Sequence, residues 1–188
     1  MEKNIFNPSA LGLFGLAMVT LVASAQKFGF IDGTLPVIAW AIFLGAFAQL
    51  VAGIYDAKNG VIFGATAFFG YAFFWFAIAL TWLFGNQVGY TGHFEAQLGF
   101  AFAGYFIFTF FMTLGALKTN KVLFIIFVLI DFLFIGLTLS AFTEIEFFHY
   151  FAAISEFGIS IFAFYGFGAH IVNHQFNKEV LKLGKPIL

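Results

Sequence analysis

The stretch VLFIIFVLIDFLFIGLTLSAF, residues 122–142, carries one charge in 21 residues. A helix of about 20 residues rises about 30 Å, the thickness of the hydrocarbon of a bilayer. Runs of the same kind recur at 11–26, 36–54, 61–84, 96–117 and 149–172. They are continuous, whereas a transmembrane β-barrel would need short segments of alternating polarity. Six spans with short loops predict one all-α integral membrane bundle over residues 1–188, with no soluble domain.

Composition agrees. Hydrophobic residues make up 62% of the 188, mean hydropathy is +1.00, and only 9% are charged. A soluble domain carries roughly 25% charged residues, so this chain cannot cover a water-facing surface with charge. Net charge is −1, which implies no nucleic-acid partner. The chain has no Cys, hence no disulfide or thiolate site, and no Arg. The first span shows no cleavage-site pattern and reads as a retained helix.

Lysine placement predicts the orientation. Lys3, Lys58, Lys118, Lys121, Lys178, Lys182 and Lys185 fall on one side and only Lys27 on the other. Positive residues favour the inside, so both termini are expected in the cytoplasm. Pro8, Pro36 and Pro186 lie at or beyond span ends. No proline kink is expected, and helices broken at the midplane are not signalled.

Small residues repeat at packing intervals: Gly12 and Gly15; Ala41, Gly45 and Ala48; Gly99 and Ala103. They let backbones approach closely, whether inside one subunit, between subunits or along a pore wall. The 33 Phe residues read mainly as lipid-facing filler. Trp40, Trp75 and Trp82 suit interface anchors.

The first span opens with NPSALGL, residues 7–13. Asn7 suits an N-cap and Pro8 a first helical turn, which leaves the small residues after them unexplained. The motif resembles Asn-Pro-Ala-Pro-Leu-Gly-Leu, the signature of the acetate uptake transporter family, on Asn7, Pro8, Leu11 and Gly12. AQLVAG (48–53), FGATAFFGYAFFW (63–75), TLGALK (113–118) and NHQF (173–176) match further family stretches in order. The resemblance implies six-helix subunits in a homohexamer in the cytoplasmic (inner) membrane. Each subunit would pass acetate and other small monocarboxylates, with succinate in some members. It also implies a narrow hydrophobic constriction, which falls by position on Leu16, Tyr71 and Ile130. Bacterial members hold a Phe, a Tyr and a Leu there, so Leu16 departs from the pattern.

The residues themselves favour a weak, passing site. Tight carboxylate recognition uses bidentate Arg, which this chain lacks. Gln49, Thr66 and Tyr71 are neutral hydrogen-bonding candidates for the pathway, or for helix–helix contacts. Asp131 and Glu156 are unexpected inside spans, where a carboxylate marks a functional site. The family usually has uncharged residues there. Spans five and six are consecutive and antiparallel, so the two acids are expected to be neighbours. Burial and repulsion would keep one protonated, as required for proton-linked movement. The alternatives are a structural carboxyl, or a path for a neutral or cationic solute. His170 and His174 share a helix face near the inner surface, and His93 and His149 lie outside. None is deep enough to suggest a metal or haem, so interfacial roles are expected and no cofactor is. No nucleophile–base pairing, phosphate loop or metal box appears, and no enzymatic activity is expected.

Overall fold

The computed structural model describes residues 7–85 and 94–188; Lys3 and His93 lie outside the described residues. Six helical spans are present. They are α1 (Ser9–Lys27), a second span running Leu35–Lys58, α4 (Ile62–Gly85), α5 (Phe94–Ala116), α6 (Lys121–Thr143) and α7 (Glu146–Phe176). The second span is composite: α2 (Leu35–Trp40), a π-helical segment (Ala41–Ala48) and α3 (Gln49–Lys58). The expected spans are all found. The last is longer than its apolar run, because Glu146, Phe147 and Phe148 at one end and Asn173 to Phe176 at the other stay helical.

α1 packs against α7 and the second span, the second span packs on α4, and α6 lies between α5 and α7. The first and last spans therefore meet and close the bundle. α5 is the most peripheral helix. Its Phe100, Ile107 and Phe111 point outward, as expected of a lipid-facing or subunit-facing surface. Trp75 departs from the interface expectation: it is buried and lies against Gly45.

The small residues answer the question left by NPSALGL. The Asn7 Oδ1 accepts the Ser9 N–H at 3.0 Å, so Asn7 caps the chain as it turns into α1. Gly12 then admits the ring of Phe68 from α4, and Gly15 admits the backbone carbonyl of Leu44 from the π-helical segment. Gly45 receives Trp75, and Gly99 receives Phe142 of α6. These are packing contacts within one subunit, the first of the three uses open to them.

The π-helical segment is a feature that proline placement did not signal. Two tertiary contacts meet there, Leu44 O against Gly15 and Trp75 against Gly45, together with the side chain of the adjacent Gln49. The Gln49 N–H bonds Ala46 O, and the Gln49 Nε2 donates to Gly45 O at 2.8 Å. A side-chain amide thus occupies the carbonyl that an α-helix would give to a backbone N–H. Gly15→Ala should cost about 1–3 kcal/mol, measured as a lower unfolding midpoint in detergent. The added methyl meets a backbone carbonyl that cannot rotate aside.

Beyond α7 the chain turns at Asn177, which has φ 50°, and runs back across the helix ends. Asn173 holds it: its Oδ1 accepts the Val180 and Leu181 N–H groups, and its Nδ2 donates to Leu181 O. Further on, the Val122 N–H bonds Leu183 O and the Ile187 N–H bonds Leu117 O. The NHQF motif is therefore an anchor for the following segment.

Candidate functional site

Every span except α5 contributes to one cavity of about 210 Å³. From α4 come Gly64, Ala67, Phe68 and Tyr71, and from α6 Leu123, Ile126, Phe127 and Ile130. Both sets follow the 3–4–7 spacing that puts residues on one helical stripe. α1 adds Ser9, Leu13 and Leu16, α3 adds Gln49 and Asp56, and α7 adds Gly166 and His170. Leu183, in the returning segment, completes the wall near the mouth.

The cavity runs from the lysine-rich end of the bundle, where α1, α4 and α6 begin, toward mid-span. At 1.5 Å per residue, Leu16, Tyr71 and Ile130 lie about 10–14 Å from the starts of their helices. That is close to half the hydrocarbon thickness. All three are buried, belong to one continuous core and line the cavity's inner limit. The three positions marked by resemblance thus converge from three helices on one level.

Aromatic rings brace this level. Tyr71 lies edge-on to Phe108 with centroids 5.6 Å apart, and its hydroxyl is 3.0 Å from the Thr109 Oγ1 of α5. Beyond it Phe74 meets Tyr105 and Phe134 edge-on while those two stack, with centroids 4.9–5.5 Å apart. The Tyr105 hydroxyl donates to Gly70 O at 3.0 Å. At the far end a wider depression of about 530 Å³ lies among Glu95, Phe102, Leu137, Glu144 and His149.

The polar candidates separate. Gln49 is buried at the cavity limit. Thr66 is exposed on the outer face of α4 and does not line the cavity. Five residues from Tyr71 is about 140° around the helix, so the two cannot share a stripe. Thr66 is therefore removed from the pathway within this subunit.

The expected neighbourhood of Asp131 and Glu156 does not form. Glu156 is buried and accepts from Lys27 Nζ at 2.8 Å, joining α7 to the end of α1. The His149 ring lies 3.0 Å from Lys27 O in the same corner. Asp131 turns the other way, toward α5, and its Oδ2 accepts from Thr113 at 2.7 Å. Its Oδ1 is buried without a hydrogen-bond partner. Consecutive antiparallel spans fixed the depth of the two acids but not the side of the helix each faces. Neither acid lines the cavity.

Two lining residues escaped the sequence reading. Asp56 is buried two residues before the end of α3, with its carboxylate against Gly64. His170 was expected at the interface, yet it faces the cavity. Their spacing on the stripes of Gln49 (i, i+7) and Gly166 (i, i+4) is the signal that would have found them. Among the described residues no three His, Asp or Glu side chains come together as a metal site.

The chain matches known proteins over nearly its whole length. Residues 1–183 match the model of the GPR1/FUN34/yaaH family. The succinate-acetate/proton symporter SatP of Escherichia coli K12 is 32% identical over 187 residues, covering 98% of each chain. Acetate permease A of Emericella nidulans is 35% identical over 144 residues, 71% of this chain and 48% of that one. The structure of the bacterial acetate channel SatP superposes with a TM-score of 0.90 at 29% identity, covering 96% of this chain and all of that one.

Proposed function

Because the chain belongs to the GPR1/FUN34/yaaH family, we propose that it moves acetate and related small monocarboxylates across a membrane, with succinate as a larger candidate. The path is the cavity and the constriction of Leu16, Tyr71 and Ile130. One observation carries this reading: residues from α1, α4 and α6 converge at the closed end of a cavity with room for a small carboxylate. A hydrophobic constriction of this kind gates by dewetting and holds no ligand tightly. That suits a conduit whose lining, among the described residues, has no Lys or Arg.

The setting follows from the same reading. The lysines at the cavity's mouth favour a multi-pass arrangement in the cytoplasmic membrane, with both termini in the cytoplasm. The outward Phe43, Phe73, Phe100 and Phe111 suit lipid contacts and the faces of a homohexamer. Its relatives are a symporter, a permease and a channel, and we assign this chain transport rather than catalysis. Asp131 and Glu156 are assigned to helix contacts, since each takes its own partner off the path.

A second reading keeps the fold and changes the cargo to a neutral or cationic solute. It is favoured by the Asp56 carboxylate in the lining. Acetate uptake into liposomes holding the protein, corrected by protein-free liposomes, separates the two. Ile130→Trp should fill the constriction and lower protein-dependent uptake at least about tenfold, which is about 1.4 kcal/mol of barrier. Uptake that ignores this substitution would place the path elsewhere.

A further inference from the structure

α5 gives no residue to the cavity, yet three of its polar side chains reach the level of the constriction. Tyr105, Thr109 and Thr113 are spaced four apart, which puts them on one stripe of the helix. Each bonds a constriction residue or its immediate neighbour in the chain. The Thr109 Oγ1 lies 3.0 Å from the Tyr71 hydroxyl. The Tyr105 hydroxyl donates at 3.0 Å to Gly70 O, one residue before Tyr71. The Thr113 hydroxyl donates at 2.7 Å to the Asp131 Oδ2, one residue after Ile130. Two of the three constriction positions are therefore tied to a helix that does not line the path.

The ties matter because α5 rests chiefly on α6 and has little backbone contact with α4. Side chains bridge that gap: the ring of Phe108 edge-on to Tyr71, and the hydroxyls at Gly70 and Tyr71. Thr109 is fully buried and Tyr71 is 5% exposed. Buried hydroxyls are costly unless paired, and these two pair each other. The pairing directs the Tyr71 hydroxyl toward α5, away from the cavity. Without the Thr109 hydroxyl, the remaining partner for the Tyr71 O–H is water in the cavity, and the ring leans into the path to reach it. The same stripe gives Asp131 a role: off the path, its carboxylate is the acceptor by which α5 holds α6 beside Ile130.

Resting on the constriction assigned above, we propose that α5 sets the width of the gate from outside the path. Thr109 is the positioning residue for Tyr71. Thr113, acting through Asp131, positions Ile130, and Tyr105 fixes the backbone from which Tyr71 projects. The width held in this way decides how well a larger carboxylate passes relative to acetate.

The test uses the full chain in liposomes, with labelled acetate and labelled propionate, and protein-free liposomes to remove the unassisted leak. The readout is the ratio of the two protein-dependent rates, which a loss of folded protein does not move. Thr109→Val keeps the shape of the side chain and removes its hydroxyl. It should lower propionate uptake relative to acetate about threefold, within the worth of one hydrogen bond. Thr109→Ser keeps the hydroxyl and should keep the native ratio. In the double variant Tyr71→Phe, Thr109→Val no hydroxyl draws the ring inward, so the ratio should return to that of Tyr71→Phe alone. Thr113→Val, with Thr113→Ser as its control, gives the corresponding reading through Ile130 and serves if Thr109→Val does not fold. A native ratio in the folded valine variants, while Ile130→Trp still blocks uptake, would overturn this proposal and leave the constriction standing. Equal shifts in the valine and serine variants would also overturn it, since the hydroxyl would not be the cause. No effect of Ile130→Trp, or no protein-dependent uptake by the native chain, would instead remove the reading on which the proposal rests.

Discussion

Glu156→Ala should destabilise the bundle by roughly 3–5 kcal/mol, because it leaves the Lys27 ammonium without its partner in a corner that excludes water. The ammonium is held 2.8 Å from the carboxylate, and the Lys27 side chain is 12% exposed. The loss would be read as a lower unfolding midpoint in detergent. The double variant Lys27→Met, Glu156→Leu removes both charges and should recover most of it, since an apolar pair often replaces a buried ion pair at little cost. A single variant as stable as the native chain would mean that Lys27 reaches water unaided. The pair would then contribute little to joining α1 and α7.

Tyr71→Ala should change transport strongly, and in the opposite direction to Ile130→Trp. If the ring fills the constriction as proposed, removing it lowers the barrier to wetting, and flux is expected to rise on the order of tenfold. Discrimination against larger dicarboxylates should weaken in the same variant. Stability should fall by about 3–5 kcal/mol, the usual cost of emptying a large buried aromatic site. Tyr71→Phe separates these effects. It keeps the ring, so acetate flux should stay within about twofold of native. It leaves the Thr109 hydroxyl unpaired, at about 1–3 kcal/mol. Rates for acetate and succinate measured side by side in the two variants check both statements. A Tyr71→Ala chain that folds and transports at the native rate would remove Tyr71 from the gate.

Much of the fold was legible because a bilayer imposes a length on its helices. Residues 122–142 could be read as a span from their continuity alone, and the structure has Lys121–Thr143 as one helix. The π-helical segment at Ala41–Ala48 was not legible. Its eight residues include no Pro, and its register depends on contacts from Gly15, Trp75 and the Gln49 side chain. Two of these causes, Gly15 and Trp75, lie in other parts of the chain. The positions proposed for the constriction were reached only by matching to a family, since Leu16 and Ile130 are ordinary apolar residues on ordinary helices. Polarity did mark Gln49 and Tyr71, and both line the cavity. It marked Thr66 equally, and only the angle around α4 separates that residue from Tyr71. The same limit applied to Asp131 and Glu156. Depth in a membrane follows from counting residues, but the facing of a side chain depends on which neighbour its helix rests against.

The closure of the bundle by its first and last spans also orders its assembly. Ser9 and Leu183 both belong to the wall of one cavity, so no truncated intermediate on the ribosome can hold a finished mouth. Lys27 leaves the ribosome 129 residues ahead of its partner. Until α7 inserts, its ammonium must stay with water or lipid headgroups at the membrane surface. The late arrival of Glu156 would then draw the end of α1 inward. A membrane that admitted an open conduit during synthesis would leak, and this order of events delays the conduit until nearly the whole chain is in place.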